Sequence, residues 1–181
     1  TGIPEKWIAL IKRSMQTLMP RFNTERMLLE YYHDIYLPTA RREHELYGES
    51  YRMARELADW KRKLPMRFSS LRLIEVSVEG VRGDTILVEK PLTVTVRIDP
   101  GKMEPEELLV ELIIGKREGH GFAGQPECIP LAITDRRNRK GIIFSVSYTV
   151  RQNGSYAYGI RALPHHPYLA TKQETGLVYW G

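Results

Sequence analysis

The feature that most constrains the fold is a change in hydrophobic period near Ser69. Before this point, apolar residues recur every three or four positions, as on one face of a helix. After it, apolar and polar residues alternate, as on a strand with one face buried. The sequence therefore predicts an α+β protein in which a helical segment of about three helices, residues 1–68, precedes a β domain, residues 69–181.

The first predicted helix covers Glu5–Leu18. Pro4 suits its first turn, where a missing N–H has no partner to lose, and Pro20 ends it because the residue before a proline is pushed out of the helical region. At spacings of four, four and three, its large apolar residues share one face: Trp7, Ile11, Met15 and Leu18. About four turns are marginal without tertiary packing, so this face requires a partner surface.

A second predicted helix begins after Asn23, which can cap the free N–H groups of its first turn, and ends at Pro38. A third covers Arg41–Lys63, with Gly48 weakening its start and Pro65 stopping it. The apolar stripe of the second helix comprises Leu28, Tyr31, Tyr32 and Ile35.

The β domain is predicted from five alternating runs: Ile74–Val78, Leu92–Ile98, Val110–Ile114, Ile142–Val150 and Tyr156–Ile160. Turn signals lie at Gly83-Asp84, Asp99-Pro100-Gly101, Arg139-Lys140-Gly141 and Asn153-Gly154. Asn153-Gly154 is the strongest hairpin signal, since a two-residue I′ turn needs positive φ twice. Alternation indicates antiparallel sheets, and about seven short strands predict an immunoglobulin-like β-sandwich. Tyr156, near the start of a late strand, suggests a weak analogue of a tyrosine corner.

Composition narrows the class of protein. Among 181 residues, 42% are hydrophobic, which permits a real core, and no apolar run approaches the ~18 residues of a membrane span. No charged-then-apolar leader is visible, and the lone Cys128 excludes an internal disulfide and suits a reducing, cytoplasmic compartment. A chain that begins at Thr1 suggests a piece of a longer protein.

The net charge of +5 is concentrated in the helical segment. Residues 1–68 carry 13 Lys and Arg against 9 Asp and Glu, whereas residues 69–181 carry 14 against 13. A nucleic-acid-binding protein usually concentrates more positive charge and interleaves aromatic residues. The pattern instead predicts a solvated or domain-facing helical surface.

Three motifs resemble functional sites but have simpler interpretations. The run Gly119–Gly124 matches G-x-G-x-x-G, yet Gln125-Pro126 follows it where a helix would have to begin, so it predicts a hairpin loop. His165-His166 point in opposite directions in an extended segment and lack metal-ligand spacing, which predicts loop anchoring. Glu104, Glu106 and Glu107 predict a solvated loop. No catalytic, cofactor-binding or metal-ligating residue is predicted.

Aromatic residues crowd the end of the chain. Exposed rings can stack on sugars, whereas an aromatic on an alternating strand is more often part of the core. The candidates for contact with a glucan are Tyr156, Tyr158, Tyr168 and Trp180.

The helical segment also resembles a known family. From Trp7 to Pro38, the pattern W-x6-S-M-x2-L-x-P-R-F-N-T-x-R-M-x2-E-Y-x4-Y-x-P is similar to the C-terminal helical segment of bacterial and archaeal α-glucan (glycogen or maltodextrin) phosphorylases. Looser matches follow at Arg55-Glu56-Leu57 with Trp60-Lys61, and at Leu163–Pro167 with Gly176-Leu177 and Trp180.

This resemblance implies a GT-B glycosyltransferase that uses pyridoxal phosphate to transfer glucose between an α-1,4-glucan end and inorganic phosphate. The family's cofactor-bearing lysine lies upstream of the matched region, so no catalytic or cofactor residue is carried over. The implied partners are the upstream catalytic lobes of the same chain, α-glucan and a second copy.

Two classes of function follow, with a third if the resemblance is chance. A structural module that supports the catalytic lobe would leave an apolar helical stripe exposed when isolated. A glucan-binding β-sandwich would instead use exposed aromatic rings and raise the local concentration of substrate. The third is an unrelated protein-interaction adaptor with a helical arm.

Overall fold

The computed structural model describes residues 2, 4–82, 85–86, 88–138 and 141–181. The chain forms two compact units, here called the helical unit, up to Arg55, and the β unit, Glu56–Gly181. Its helices are α1 (Glu5–Leu18), α2 (Thr24–Tyr31) and α3 (Leu37–Phe68), and one π-helical turn, Tyr32–Tyr36, precedes α3. None of the helices in this part of the chain has the length and apolarity that crossing a bilayer would require.

The start signals of the first two helices are confirmed. Helix α1 has the predicted bounds, and the Asn23 side chain accepts a hydrogen bond of 2.7 Å from the backbone N–H of Arg26 in the first turn of α2. This side-chain cap satisfies a donor that has no acceptor within the helix, so a single residue determines where α2 begins.

The predicted helix ends at Pro38 and Pro65 are wrong. Pro38 lies in the first turn of α3, directly after the π-helical turn Tyr32–Tyr36, and the helical run continues through it from Thr24 to Phe68. A proline inside a helix removes one backbone hydrogen bond, and the π-helical turn before it is already a place where the regular hydrogen-bond pattern changes. Pro65 lies inside α3, near its end. Leu64 and Phe68 on either side of it are buried, and their packing offsets the hydrogen bond that the proline cannot make.

Helix α3 also contains an irregular step where the sequence indicated weakness. Ser50 and Tyr51, just after Gly48, have φ values of 55° and 64°. Residues other than glycine reach this left-handed region at a cost of roughly 1–3 kcal/mol each.

Eleven strands form antiparallel pairs in the described residues. They are β1 (Arg72–Glu79), β2 (Val81–Arg82), β3 (Thr85–Ile86), β4 (Pro91–Asp99), β5 (Leu108–Glu118), β6 (Gly121–Phe122), β7 (Glu127–Pro130), β8 (Ala132–Asn138), β9 (Gly141–Thr149), β10 (Tyr156–Pro164) and β11 (Tyr179–Trp180). A 3₁₀ turn, Pro105–Glu107, precedes β5. The five predicted runs correspond to β1, β4, β5, β9 and β10.

The strands form two main sheets. One has the order β1-β4-β9-β8, and the other the order β11-β10-β5-β6, with β7 also paired to β5. If the six strands of seven or more residues are lettered A to F in chain order and the two-residue β11 is lettered G, the orders are A-B-E-D and G-F-C, as in an immunoglobulin constant-type domain. The predicted α+β class is therefore confirmed. The strand order supports the immunoglobulin-like sandwich, which stays a prediction.

A single hydrophobic core joins the two sheets and the end of α3. The strands contribute alternating residues such as Val94 and Val96 of β4, Leu112 of β5 and Phe144 of β9. Four residues of α3, one turn apart, belong to the same cluster: Leu57, Trp60, Leu64 and Phe68. The period changes near residue 69, as the sequence indicates, whereas the compact β unit begins at Glu56.

The predicted hairpin at Asn153-Gly154 is wrong. The strands on either side, β9 and β10, lie in different sheets, so the intervening segment passes from one sheet to the other. Gly154 has a positive φ but Asn153 does not, and a I′ turn requires both. Two of the other turn signals, Gly83-Asp84 and Arg139-Lys140, lie outside the described residues.

Two smaller predictions about loops are confirmed. The Tyr156 hydroxyl donates a 3.0 Å hydrogen bond to the Gln152 carbonyl, which is the tyrosine-corner contact at the start of β10. The glycine-rich run forms the β5–β6 hairpin, with Glu118 paired to Gly121, and opens no helix.

Candidate functional site

The most conspicuous feature of the helical unit is an apolar face on α1 that nothing in the described chain covers. Trp7 is 59% exposed, Ile11 36%, Met15 54% and Leu18 50%. No residue of α1 is buried. A soluble protein rarely exposes a contiguous apolar stripe of this kind unless it is an interaction surface.

A second exposed apolar face continues from α2 into the π-helical turn. Its members are Leu28, Tyr31, Tyr32 and Ile35, which are between 44% and 55% exposed. No residue of α2 is buried either. The exposed apolar stripe expected of a structural module is therefore confirmed, and we refer to these two sets of residues as the helical faces.

In the β unit, a polar cluster that we call the Glu107 clamp ties the end of α3 to the sheets. Trp60 donates its indole N–H to Glu107 Oε1 at 2.8 Å, and Arg67 donates from Nη1 to the same oxygen at 2.7 Å and from Nη2 to Oε2. Glu107 Oε2 also accepts the backbone N–H of Glu104 at 2.8 Å. The predicted solvated loop is therefore wrong for Glu107, because its carboxylate is almost fully coordinated by protein donors.

The environment of the clamp shifts two pKa values. Burial raises the pKa of Glu107, but the hydrogen bonds from Arg67, the Glu104 backbone and Trp60 outweigh it, so the net pKa lies below 4.5. The His166 ring lies 4.9 Å from Trp60 and 5.0 Å from Tyr168. Burial lowers the pKa of His166 below 6.5, although Glu107 and Glu56 raise it. The lowered pKa of Glu107 favours the carboxylate that accepts these hydrogen bonds, and the lowered pKa of His166 favours the neutral ring, whose Nδ1 accepts a hydrogen bond of 3.2 Å from the Tyr168 backbone N–H.

The predicted anchoring role of His165-His166 agrees with this geometry. The His165 backbone N–H donates to the Glu107 carbonyl at 2.7 Å, and His166 fills the space beside Trp60. Among the described residues, no group of three or more His, Cys, Asp or Glu side chains could hold a metal ion.

A buried ion-pair network lies on the outer face of the sheet that contains β5. Glu111 is only 3% exposed, and it accepts hydrogen bonds from Arg161 Nε at 2.7 Å and Lys172 Nζ at 2.6 Å. Arg161 also contacts the Cys128 sulfur at 3.7 Å. Two cations satisfy one buried carboxylate, so the network fastens the segment around Lys172 to the sheet rather than offering a free charge.

The structure does not bring the four predicted glucan-contacting residues together. Tyr168 packs against His166 and the core, and the Tyr156 hydroxyl makes the tyrosine-corner hydrogen bond. Tyr158 is 56% exposed near the start of β10. Trp180 is 57% exposed on β11, with the Arg161 guanidinium 6.0 Å from its ring centre.

A polar groove was not predicted from the sequence. Its volume is about 680 Å³, and it lies where β5, β9 and β10 approach the segment before β7. Its polar lining residues include Lys116, Gln125, Glu127, Tyr148, Arg151 and Gln152. Their spread over the sequence hides them from motif analysis. We call this feature the Tyr148 groove.

Comparison with known proteins identifies the family. Residues 69–181 match the family model described as glycogen phosphorylase C-terminal domain. The whole chain is similar to glycogen phosphorylase of Mycobacterium tuberculosis strain H37Rv, with 29% identity over 177 residues. It is also similar to maltodextrin phosphorylase of Thermococcus litoralis, with 27% identity over 179 residues.

These alignments cover almost all of this chain but little of its relatives. They include 98% and 97% of the chain, which spans about a fifth, 20%, of the length of the two relatives. The chain belongs to the glycogen phosphorylase C-terminal domain family and represents the C-terminal region of an α-glucan phosphorylase.

Proposed function

We propose that this chain is a non-catalytic module of an α-glucan phosphorylase and that its helical faces pack against the catalytic part of that enzyme. The observation that carries the proposal is the exposure of both helical faces in a chain that spans a fifth of its relatives. Such faces gain stability only when another surface covers them, and burial of a large apolar side chain stabilises by roughly 1.5–3 kcal/mol.

The whole enzyme would carry out phosphorolysis of α-1,4-glucans to glucose 1-phosphate. This activity follows from the resemblance and from the printed names of the relatives, glycogen phosphorylase and maltodextrin phosphorylase. The contribution of this chain would be to hold the catalytic lobe in its folded arrangement. A cytoplasmic location, expected from the lone Cys128, stays part of this proposal.

Pyridoxal phosphate, expected in the full-length enzyme, does not fit the lysines described here. A lysine that forms an imine needs an enclosed pocket that lowers its pKa. Lys61 pairs with Glu174 and Lys172 pairs with Glu111. The other described lysines are exposed, namely Lys6, Lys12, Lys63, Lys90, Lys102 and Lys116. We assign no cofactor contact to this chain and derive no step through the cofactor.

The test is expression of the longest reading frame that contains residues 1–181, beside the same frame without them. The proposal expects phosphate-dependent release of glucose 1-phosphate from the full frame, and loss of activity or solubility from the shortened one. A full frame that lacks phosphorolysis would refute the identity. A shortened frame with full activity and stability would refute the supporting role.

A further inference from the structure

The Tyr148 groove combines a fixed wall with unused polar groups. Glu127 and Ile114 face each other across the β7–β5 pair, and Tyr156 faces Lys116 across the β10–β5 pair. The Tyr148 hydroxyl donates to Glu127 Oε1 at 3.1 Å, which fixes both side chains before any ligand arrives. A groove of about 680 Å³ is within the range of roughly 300–1,000 Å³ that is typical of ligand sites.

Four polar side chains in this groove are exposed, and within the described residues they make no hydrogen bond or ion pair: Lys116, Gln125, Arg151 and Gln152. The charge of Arg151 acts on the Tyr148 hydroxyl. The two glutamines supply amide donors and acceptors, and the lysine and the arginine supply cationic donors. Glu127 Oε2 adds an acceptor that no described residue uses.

The mixture of groups indicates the class of ligand. A phosphate or carboxylate would meet the Glu127 carboxylate, which lies in the same wall as the two cations. Burial, and then the Glu127 hydrogen bond, raises the pKa of Tyr148, so its hydroxyl stays protonated and remains a hydrogen-bond donor. A neutral ligand rich in hydroxyl groups can use donors and acceptors alike and lay its apolar face on an aromatic ring.

We propose that the Tyr148 groove binds a neutral linear oligosaccharide, with Gln125 and Gln152 hydrogen-bonding its hydroxyl groups beside the ring of Tyr148. The choice of an α-1,4-glucan as that oligosaccharide rests on the proposed function. Binding at this groove holds a polymer beside the enzyme and raises the effective concentration of its chain ends.

The test is titration of the ¹⁵N-labelled 181-residue chain with maltotetraose, followed by two-dimensional NMR. The titration extends to about 10 mM, ten times the dissociation constant of about 1 mM expected for one weak site. The expected result is saturable shifts confined to amides around Lys116, Gln125, Tyr148 and Gln152. The double variant Gln125→Ala/Gln152→Ala should weaken binding about tenfold, since two hydrogen bonds are lost.

The control variant Gln173→Ala removes an exposed glutamine outside the groove and should leave the dissociation constant unchanged. A parallel titration with inorganic phosphate should leave the chemical shifts of the groove amides unchanged. Shifts with phosphate alone, shifts centred on Trp180 instead, or no shift with maltotetraose would each overturn the proposal. None of these outcomes bears on phosphorolysis by the full reading frame, so the two proposals fail separately.

Discussion

The Glu107 clamp makes the sharpest prediction about stability. Glu107→Ala removes the acceptor of two Arg67 hydrogen bonds, one Trp60 hydrogen bond and the backbone hydrogen bond of Glu104. Hydrogen bonds to a charged group contribute roughly 1.5–3 kcal/mol each, but they are not additive, and Arg67 can regain water because its side chain is 24% exposed. We expect a loss of about 3 kcal/mol in the free energy of unfolding of the β unit.

Urea unfolding followed by tryptophan fluorescence and circular dichroism measures this loss. With a slope of about 2 kcal/mol/M, a loss of about 3 kcal/mol lowers the midpoint by about 1.5 M. Glu118→Ala is the matched control, because it removes the same charge from an exposed strand end. A midpoint for Glu107→Ala that lies within about 0.3 M of this control would refute the reasoning, since surface substitutions usually change stability by less than about 0.5 kcal/mol.

The pH dependence provides an independent check on the same residue. The net pKa of Glu107 is lowered, so its contribution is fully present above 4.5 and is lost as the pH falls through the folded-state value. The difference in stability between the native chain and Glu107→Ala should therefore shrink below pH 4.5. A difference that stays constant down to pH 3 would show that the carboxylate charge is not what holds Trp60 and Arg67.

Three further predictions concern other parts of the β unit. Tyr156→Phe removes the tyrosine-corner hydrogen bond and should lower the free energy of unfolding in urea by about 1 kcal/mol. An unchanged unfolding midpoint would show that this hydrogen bond does not stabilise the β unit. Glu111→Gln leaves Arg161 and Lys172 without their buried carboxylate and should cost about 3 kcal/mol in thermal unfolding; a loss below about 0.5 kcal/mol would contradict the network. Because burial lowers the pKa of His166, the unfolded chain binds a proton more tightly at this residue than the folded chain does, and stability should fall as the pH drops below 6.5. His166→Phe should reduce this dependence of stability on pH. The same pH dependence in the variant and the native chain would contradict the role of His166.

Local signals in the sequence predicted the elements that depend on local physics. The predictions of helix α1, of the Asn23 cap and of the alternating strands are confirmed. Periodicity and capping depend only on residues that are close in the sequence. The tyrosine corner was found for the same reason, since its hydrogen bond spans four residues.

The errors share a dependence on tertiary packing. Pro65 continues a helix because buried neighbours compensate for it, and the Asn153-Gly154 segment passes between sheets because its flanking strands pair elsewhere. Glu107 appeared to be a loop residue because its partners, Trp60 and Arg67, lie 40 or more positions away. The Tyr148 groove was missed because it is assembled from four strands and their loops. The family resemblance therefore gave more about function than any single motif.

The claim that the helical faces are covered by the catalytic part of an α-glucan phosphorylase is tested most directly by hydrogen exchange. The measurement compares amide exchange of α1 and α2, residues 5–31, in the isolated 181-residue chain and in the product of the full reading frame. We predict fast exchange in the isolated chain and at least tenfold slower exchange in the longer protein, since about 1.4 kcal/mol of added local stability corresponds to a factor of ten. Equal exchange in the two proteins would contradict the account.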